Sequence, residues 1–192
     1  EYNSKLVKQD RYSNLAMKNP EIPKPDELCR SEDWIFAKIP SSNCHSNALS
    51  LAKIYDHFVN TNSEKKIVSE KSLKKALTIE SSRMDYVLRL PMKWGATGFI
   101  IGGGRLFGDS DNAFGHTGFG GSIAFADPDR RLGIAYTTNT ISNKVIGDTR
   151  ALKLVEKTAT KAKTKAMSKT KIIAAGTIAF CPKSNKTKGR PI

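Results

Sequence analysis

The residues best suited to chemistry in this chain stand together, in Phe114-Gly115-His116-Thr117-Gly118-Phe119-Gly120-Gly121-Ser122. An imidazole and a hydroxyl are neighbours there, and four glycines (Gly115, Gly118, Gly120, Gly121) surround them. Glycine at that density marks a backbone that must take unusual φ/ψ values or come close to something. A His-Thr pair on such a backbone offers a bound substrate an imidazole, a hydroxyl and exposed N–H groups. The residues after it read as a hairpin. Its strands are expected at about 118–126 and 131–139, which places the polar, glycine-rich segment at the start of the first. Asp127-Pro128-Asp129-Arg130 is the tight turn between them: Pro128 presets φ, and the two Asp side chains can bond the local backbone.

The same segment carries a resemblance. Phe-Gly-His-Thr-Gly-Phe-Gly-Gly-Ser, then Ala-Phe-Ala-Asp-Pro and an Ala-Tyr-x-x-Asn strand, resembles the C-terminal part of the serine β-lactamase-related family. That family includes class C β-lactamases, penicillin-binding-protein-like esterases and peptidases, and LACT-type proteins. Its third active-site motif is usually Lys-Thr-Gly, with His in place of Lys in many esterase-like members; His116-Thr117-Gly118 is similar to the His form. The loop Pro40-Ser41-Ser42-Asn43-Cys44-His45 before a helix also resembles the family, although Cys44 and Ser46 stand where small residues, often Gly, are usual. The likeness runs from about Asn19 to about Lys157.

The resemblance implies an α+β fold of the β-lactamase/transpeptidase type, present in part. Antiparallel sheet strands are flanked by helices, and the N-terminal half of the fold is incomplete. It implies acyl transfer, in which a Ser attacks a carbonyl carbon after a neighbouring Lys, and usually a Tyr from a Tyr-x-Asn motif, takes its proton. Backbone N–H groups then hold the oxyanion. On that reading His116, Thr117, Gly118 and Phe119 form the substrate and oxyanion side, with the Phe119 N–H as one donor. The substrate of the intact protein would be a small-molecule or peptide-like acyl compound.

The nucleophile is the piece without a match. Ser-x-x-Lys occurs four times, at Ser50/Lys53, Ser63/Lys66, Ser72/Lys75 and Ser168/Lys171. Seventeen serines and twenty-three lysines make such spacings ordinary, and none lies where the family puts its catalytic Ser, far upstream of the Pro-Ser-x-Asn loop. Tyr12-Ser13-Asn14 has the Tyr-x-Asn form in surroundings that do not resemble the family. The expectation is therefore the C-terminal part of a serine hydrolase, inactive as it stands. The alternatives are a non-catalytic binding or scaffold member of the family, and a basic-tail module for nucleic acid or anionic membrane.

Charge divides the chain. Residues 151–192 hold eleven Lys/Arg against Glu156 alone, whereas 1–150 hold twenty-one Lys/Arg against seventeen Asp/Glu. The sequence thus predicts a domain over 1–160 and a basic, poorly ordered tail over 161–192. The tail lacks aromatic interleaving and any motif for specific nucleic-acid binding. Three cysteines, Cys29, Cys44 and Cys181, read as reduced thiols; no His/Cys/Asp cluster has metal-ligand spacing, and no glycine pattern fits a phosphate-binding cofactor. The longest apolar run, from Ile172 to Cys181, is too short to span a bilayer. The chain opens Glu1-Tyr2, so no signal peptide is visible, as an internal piece of a longer protein would also show.

Other elements follow from periodicity and caps. Helical spacing of Ala48, Leu51, Ala52, Tyr55, Phe58 and Val59 predicts an amphipathic helix within 41–60, capped by Asn43 or Ser46. A short helix is expected from Ser69 to Ile79, with Leu73, Ala76 and Leu77 inward, and another from Asp148 to Ala162, capped by Asp148. Residues 4–18 are partly helical on this reading. Glu21 to Pro40 reads as loop, with Trp34, Ile35 and Phe36 anchored in a core, and a strand is expected over about 95–102. A sheet built from three strands would leave an edge and one face uncovered, hence marginal stability.

Overall fold

A computed structural model describes residues 11–18, 31–40, 44–60, 67–102, 104, 106–163 and 171–175. Its centre is the hairpin of β5 (Ile123–Asp127) and β6 (Leu132–Tyr136), paired with Ala124 opposite Ala135 and Phe125 opposite Ile134. Side-chain size alternates along both strands, because successive residues face opposite sides of a sheet. Ile123, Phe125, Leu132 and Ile134 point one way, with Phe107, Ala151 and Val155 in the same buried cluster. Ala124, Ala126 and Ala135 point the other way, toward Ala48, Ala52, Tyr55 and Val59. The hairpin is thus packed between two helices, α3 (Ala48–Val59) on its small-residue face and α5 (Thr149–Lys163) on its large-residue face. Both faces of the central strands are covered, which overturns the expected bare face.

The small residues are there because α3 lies very close. A Cβ on Gly133 would collide with the carbonyl oxygen of Ala52 and stand 2.5 Å from the amide nitrogen of Asp56. Asn47 caps α3, its Oδ1 accepting from the Ser50 N–H at 2.9 Å. The expected caps were Ser46, which precedes the observed one, and Asn43, which lies outside the described residues. Asp56 is buried by the same approach. Burial pushes its carboxyl up from the ordinary range, against the opposing pull of His57 and Asn60, and its Oδ1 has no hydrogen-bond partner.

Among the described residues the sheet has seven strands in sequence order. Antiparallel pairing runs from β1 (Ile79–Met84) through β2 (Pro91–Gly95), β3 (Ile100–Ile101) and β4 (Phe114–Thr117) to the hairpin. The single strand expected over 95–102 is instead a hairpin bend. Gly98 takes φ +84° and donates to Gly95 at 2.9 Å, so β2 and β3 fold back on each other. β1 is the exposed edge; its polar sequence suits an outer strand and hides the usual strand signal.

Residues 171–175, inside the stretch expected as a tail, form β7 (Lys171–Ala175) and pair in parallel with β6. α1 (Arg11–Lys18) and α4 (Glu70–Ala76) appear where expected, the latter capped by Ser69 Oγ accepting from the Ser72 N–H at 3.1 Å. Residues 4–10 lie outside the description. α2 (Glu32–Phe36) was not expected. Ser31 caps it and Glu32 and Asp33 fill its first turn, a good helix start. It has no buried residue, and Phe36 is 79% exposed, so the proposed anchors do not enter the core.

Among the described residues no helix is long and apolar enough to cross a membrane, and no group of His, Cys, Asp and Glu could hold a metal ion. Cys44 is a free, exposed thiol; Cys29 and Cys181 lie outside the description.

Candidate functional site

β4 carries His116 and Thr117, and pairs His116 with Ala124 and Thr117 with Ile123. The histidine and threonine are therefore strand residues. The glycine-rich segment after them is the turn from β4 to β5, and not the start of the hairpin's first strand as the sequence suggested. The difference has a local cause. Gly118 donates its N–H to the Ser122 carbonyl at 2.7 Å, and Gly121 donates back to Gly118 at 3.3 Å, which closes a loop over 118–122. Gly120 sits at φ +88°, where only glycine is at ease, and a Cβ there would reach Ile141 Cγ2 at 2.6 Å.

Three polar groups at this strand end are left without partners among the described residues. The first is on His116, which is exposed. Its Nδ1 lies 2.6 Å from the Thr117 carbonyl oxygen. A carbonyl can only accept, so Nδ1 carries the proton, and in the neutral ring Nε2 is the free acceptor. The second is the hydroxyl of half-buried Thr117. The third is the N–H of Phe119: its neighbours donate within the fold, Gly118 to Ser122, Gly120 to Lys144 and Gly121 to Gly118, while the Phe119 N–H donates to nothing. The Phe119 ring is 56% exposed.

The turn is braced from behind by α5. Asp148 caps that helix, as its place in the sequence suggested, with Oδ1 accepting from the Arg150 N–H at 2.9 Å. The Arg150 guanidinium lies flat against the same carboxylate, Nε and Nη2 each at 2.9 Å. It also donates to the Thr140 carbonyl at 2.9 Å and the Gly120 carbonyl at 3.3 Å. One side chain thereby ties the helix start to the turn that presents Phe119. Asp148 shows the consequence: hydrogen bonding from Arg150, above all, holds its carboxyl well below the usual carboxylate range.

An aspartate depressed in this way stabilises the fold fully above its unfolded value of about 4, and the contribution fades as pH falls toward the folded value. Asp148→Asn is therefore expected to lower stability by about 1–3 kcal/mol at neutral pH. The gap between variant and wild type should narrow at about pH 2, where the Asp148 carboxyl is protonated in the unfolded wild type and the depression in the folded state contributes less. Urea unfolding at the two pH values measures this. A gap equally wide at both would show that the brace does not act through the carboxylate.

The other sequence candidates lie elsewhere. Ser50/Lys53 on α3 and Ser72/Lys75 on α4 are exposed on the outer sides of their helices. Ser63/Lys66 and Ser168 fall outside the described residues. Tyr12 lies on α1 and stacks on Tyr86 at 5.8 Å between ring centroids, while Ser13 is buried, its Oγ donating to the Val87 carbonyl at 2.7 Å. His45 is exposed before α3, and His57 is half-buried on it. Sequence reading overlooked two supports of the site. One is Arg150, for which the Asp-x-Arg spacing at a helix start is a usable signal. The other is Trp94, whose ring lies 5.8 Å from that of His116 and for which no local signal exists.

Comparison with known proteins finds a family and solved relatives. The family model described as Beta-lactamase matches residues 1–157. A solved structure titled as a family VIII carboxylesterase is 34% identical over 58% of this chain and 30% of its own, with a TM-score of 0.53. A penicillin-binding protein homolog from Caulobacter crescentus is 33% identical over 59% of this chain and 30% of its own, with a TM-score of 0.54. The chain thus spans about a third of the length of these solved relatives. Curated proteins provide no match.

Proposed function

The chain belongs to the Beta-lactamase family, and from that premise we propose that it supplies the substrate-facing edge of a serine acyl-transfer site. The intact protein, on this reading, cleaves an ester or amide through an acyl-serine. One observation carries it: the His116 Nε2, the Thr117 hydroxyl and the Phe119 N–H are all unpartnered at one strand end and its turn. Among the described residues these groups have no partner, so water bonds them at this exposed strand end, and a ligand with matching acceptors and donors could replace it.

Each group has a place in the chemistry. When a serine oxygen attacks an acyl carbon, the carbonyl oxygen gains negative charge, and a fixed N–H about 2.7–3.1 Å from its new position stabilises it. The Phe119 N–H fills that role, and the 118–122 turn with Arg150 behind it holds the donor in place before the charge develops. Thr117 and His116 line the approach. Nε2 of His116 accepts a hydrogen bond in the neutral ring and donates in the cation, so it can follow a proton that moves between nucleophile and leaving group. The names of the two solved relatives, a carboxylesterase and a penicillin-binding protein homolog, are in keeping with a small-molecule or peptide-like acyl substrate.

On this reading the bond-breaking serine lies outside the residues described. Ser50/Lys53 and Ser72/Lys75 face solvent, where nothing shields or activates a hydroxyl. On the same reading the chain taken alone is inactive. The division into a domain over 1–160 and a basic segment over 161–192 belongs to the same proposal, with β7 of that segment closing the sheet beside β6. The coding sequence upstream of Glu1 tests the reading. A Ser-x-x-Lys at a helix start is expected there; its absence would favour the second reading, a member that binds acyl compounds at the same strand end without cleaving them.

A further inference from the structure

We propose that Trp94, held by Asp85, is the positioning residue that sets the direction of the His116 imidazole at the end of β4. The inference rests on the reading of His116 as a substrate-side residue, and its test does not depend on catalysis. The Thr117 carbonyl selects which nitrogen of His116 carries the proton, but one bond to a neighbouring residue leaves the ring plane free to swing. The indole of Trp94 supplies the missing restraint, with its centroid 5.8 Å from that of the imidazole and the planes 35° apart.

The indole is itself held. Its backbone pairs on both sides, with Ser81 in β1 and Ile100 in β3. Its Nε1–H donates to Asp85 Oδ2 at 3.0 Å. The other oxygen of Asp85 accepts from the N–H groups of Val87 and Leu88, each at 2.8 Å. The Asp85 backbone is tied as well, its N–H to Leu90 and its carbonyl to Arg89. Asp85 is thus a fixed post in the turn between β1 and β2, and the indole is a strut from that post to β4. A contact of this kind gives direction without touching the reacting atoms. It also explains why a tryptophan, with a donor on its far edge, stands on a strand otherwise exposed at alternate positions.

The test is nitrogen-15 NMR of the histidine rings in the full chain at about pH 9, where imidazoles are neutral. Wild type should give one sharp His116 pattern with the proton on Nδ1 and ring-current-shifted carbon-bound protons. Trp94→Leu is expected to abolish the ring-current shift and let both tautomers exchange, with His45, His57 and the amides of β5 unmoved. Asp85→Ala keeps the indole but frees its Nε1–H and lets the ring move, so that proton should exchange faster with water and the His116 shift should shrink. If Trp94→Leu does not fold, Trp94→Phe serves in its place: it keeps an aromatic face, lacks the donor, and should behave as Asp85→Ala does. An unchanged Nδ1 tautomer in Trp94→Leu, or an unchanged His116 shift in Asp85→Ala, would overturn the proposal and leave Thr117 as the sole determinant. An oriented His116 in a protein with no acyl-transfer role would instead uphold the strut and sink the functional reading.

Discussion

Phe125→Ala is expected to destabilise the chain by about 3–5 kcal/mol, the range for removing a buried phenyl ring and leaving its cavity. Phe125 is 1% exposed and stacks on Phe107 with centroids 4.9 Å apart and planes 19° apart. It sits opposite Ile134 at the middle of the hairpin, on the face that meets α5. The site hangs on that packing, because β4 pairs directly with β5 and the turn between them presents Phe119. Domains of this size have only about 5–15 kcal/mol of stability in all, so the variant should be largely unfolded in mild urea. Phe119→Ala is the control. That ring is 56% exposed, and its loss should change stability by less than about 0.5 kcal/mol. Urea midpoints for the two variants check the contrast. Equal midpoints would mean that the hairpin is not the centre of the fold.

Gly133→Val should have the next largest effect, about 3 kcal/mol, the upper end of what overpacking a core costs. The new side chain would meet the Ala52 carbonyl oxygen and the Asp56 amide nitrogen, both in the backbone of α3. Helix backbone cannot swing aside as a side chain can, so α3 must lift from the sheet and uncover Ala124, Ala126 and Ala135. Gly118→Ala is the comparison. A Cβ there would meet only Ser122, at 3.5 Å, and the change should cost less than about 1 kcal/mol. Loss of unfolding cooperativity in Gly133→Val alone is the expected result. A valine tolerated at 133 would contradict the close helix approach.

Much of this arrangement can be read from residue order. The Asp127-Pro128-Asp129 turn is legible because proline and aspartate act locally: Asp127 Oδ1 does accept from the Arg130 N–H, at 3.2 Å. Asp129 departs from that reading; it takes Ser110 and Asn112 at 2.7 and 2.9 Å, bracing a loop nearly twenty residues away. The amphipathic stripe of α3 and the Asp148 cap of α5 were legible for the same local reason. His116, Thr117, Gly118 and Phe119 stood out because a histidine among four glycines is an unusual composition, and the family likeness lay on those residues.

What stayed hidden depends on pairing over distance. β1 is polar and lies at an edge, so no apolar alternation marks it. β3 is two residues long and exists only because β2 and β4 flank it. β7 opens the apolar run that starts at Ile172, but the basic, threonine-rich residues just before it and the charge of the whole segment argued for a tail. Trp94 read as a strand residue with nothing to tie it to His116, because the strut crosses β3 and no local pattern records it.

The central claim is a substrate-facing edge held in place without a serine to use it. Mass spectrometry of the full chain after incubation with a fluorophosphonate, which modifies activated serines, tests it most directly, with release of a chromogenic ester followed in parallel. None of the seventeen serines should be labelled to stoichiometry, and the ester should hydrolyse at its uncatalysed rate. Stoichiometric labelling of a single serine, Ser50 or any other, with ester turnover to match, would contradict it.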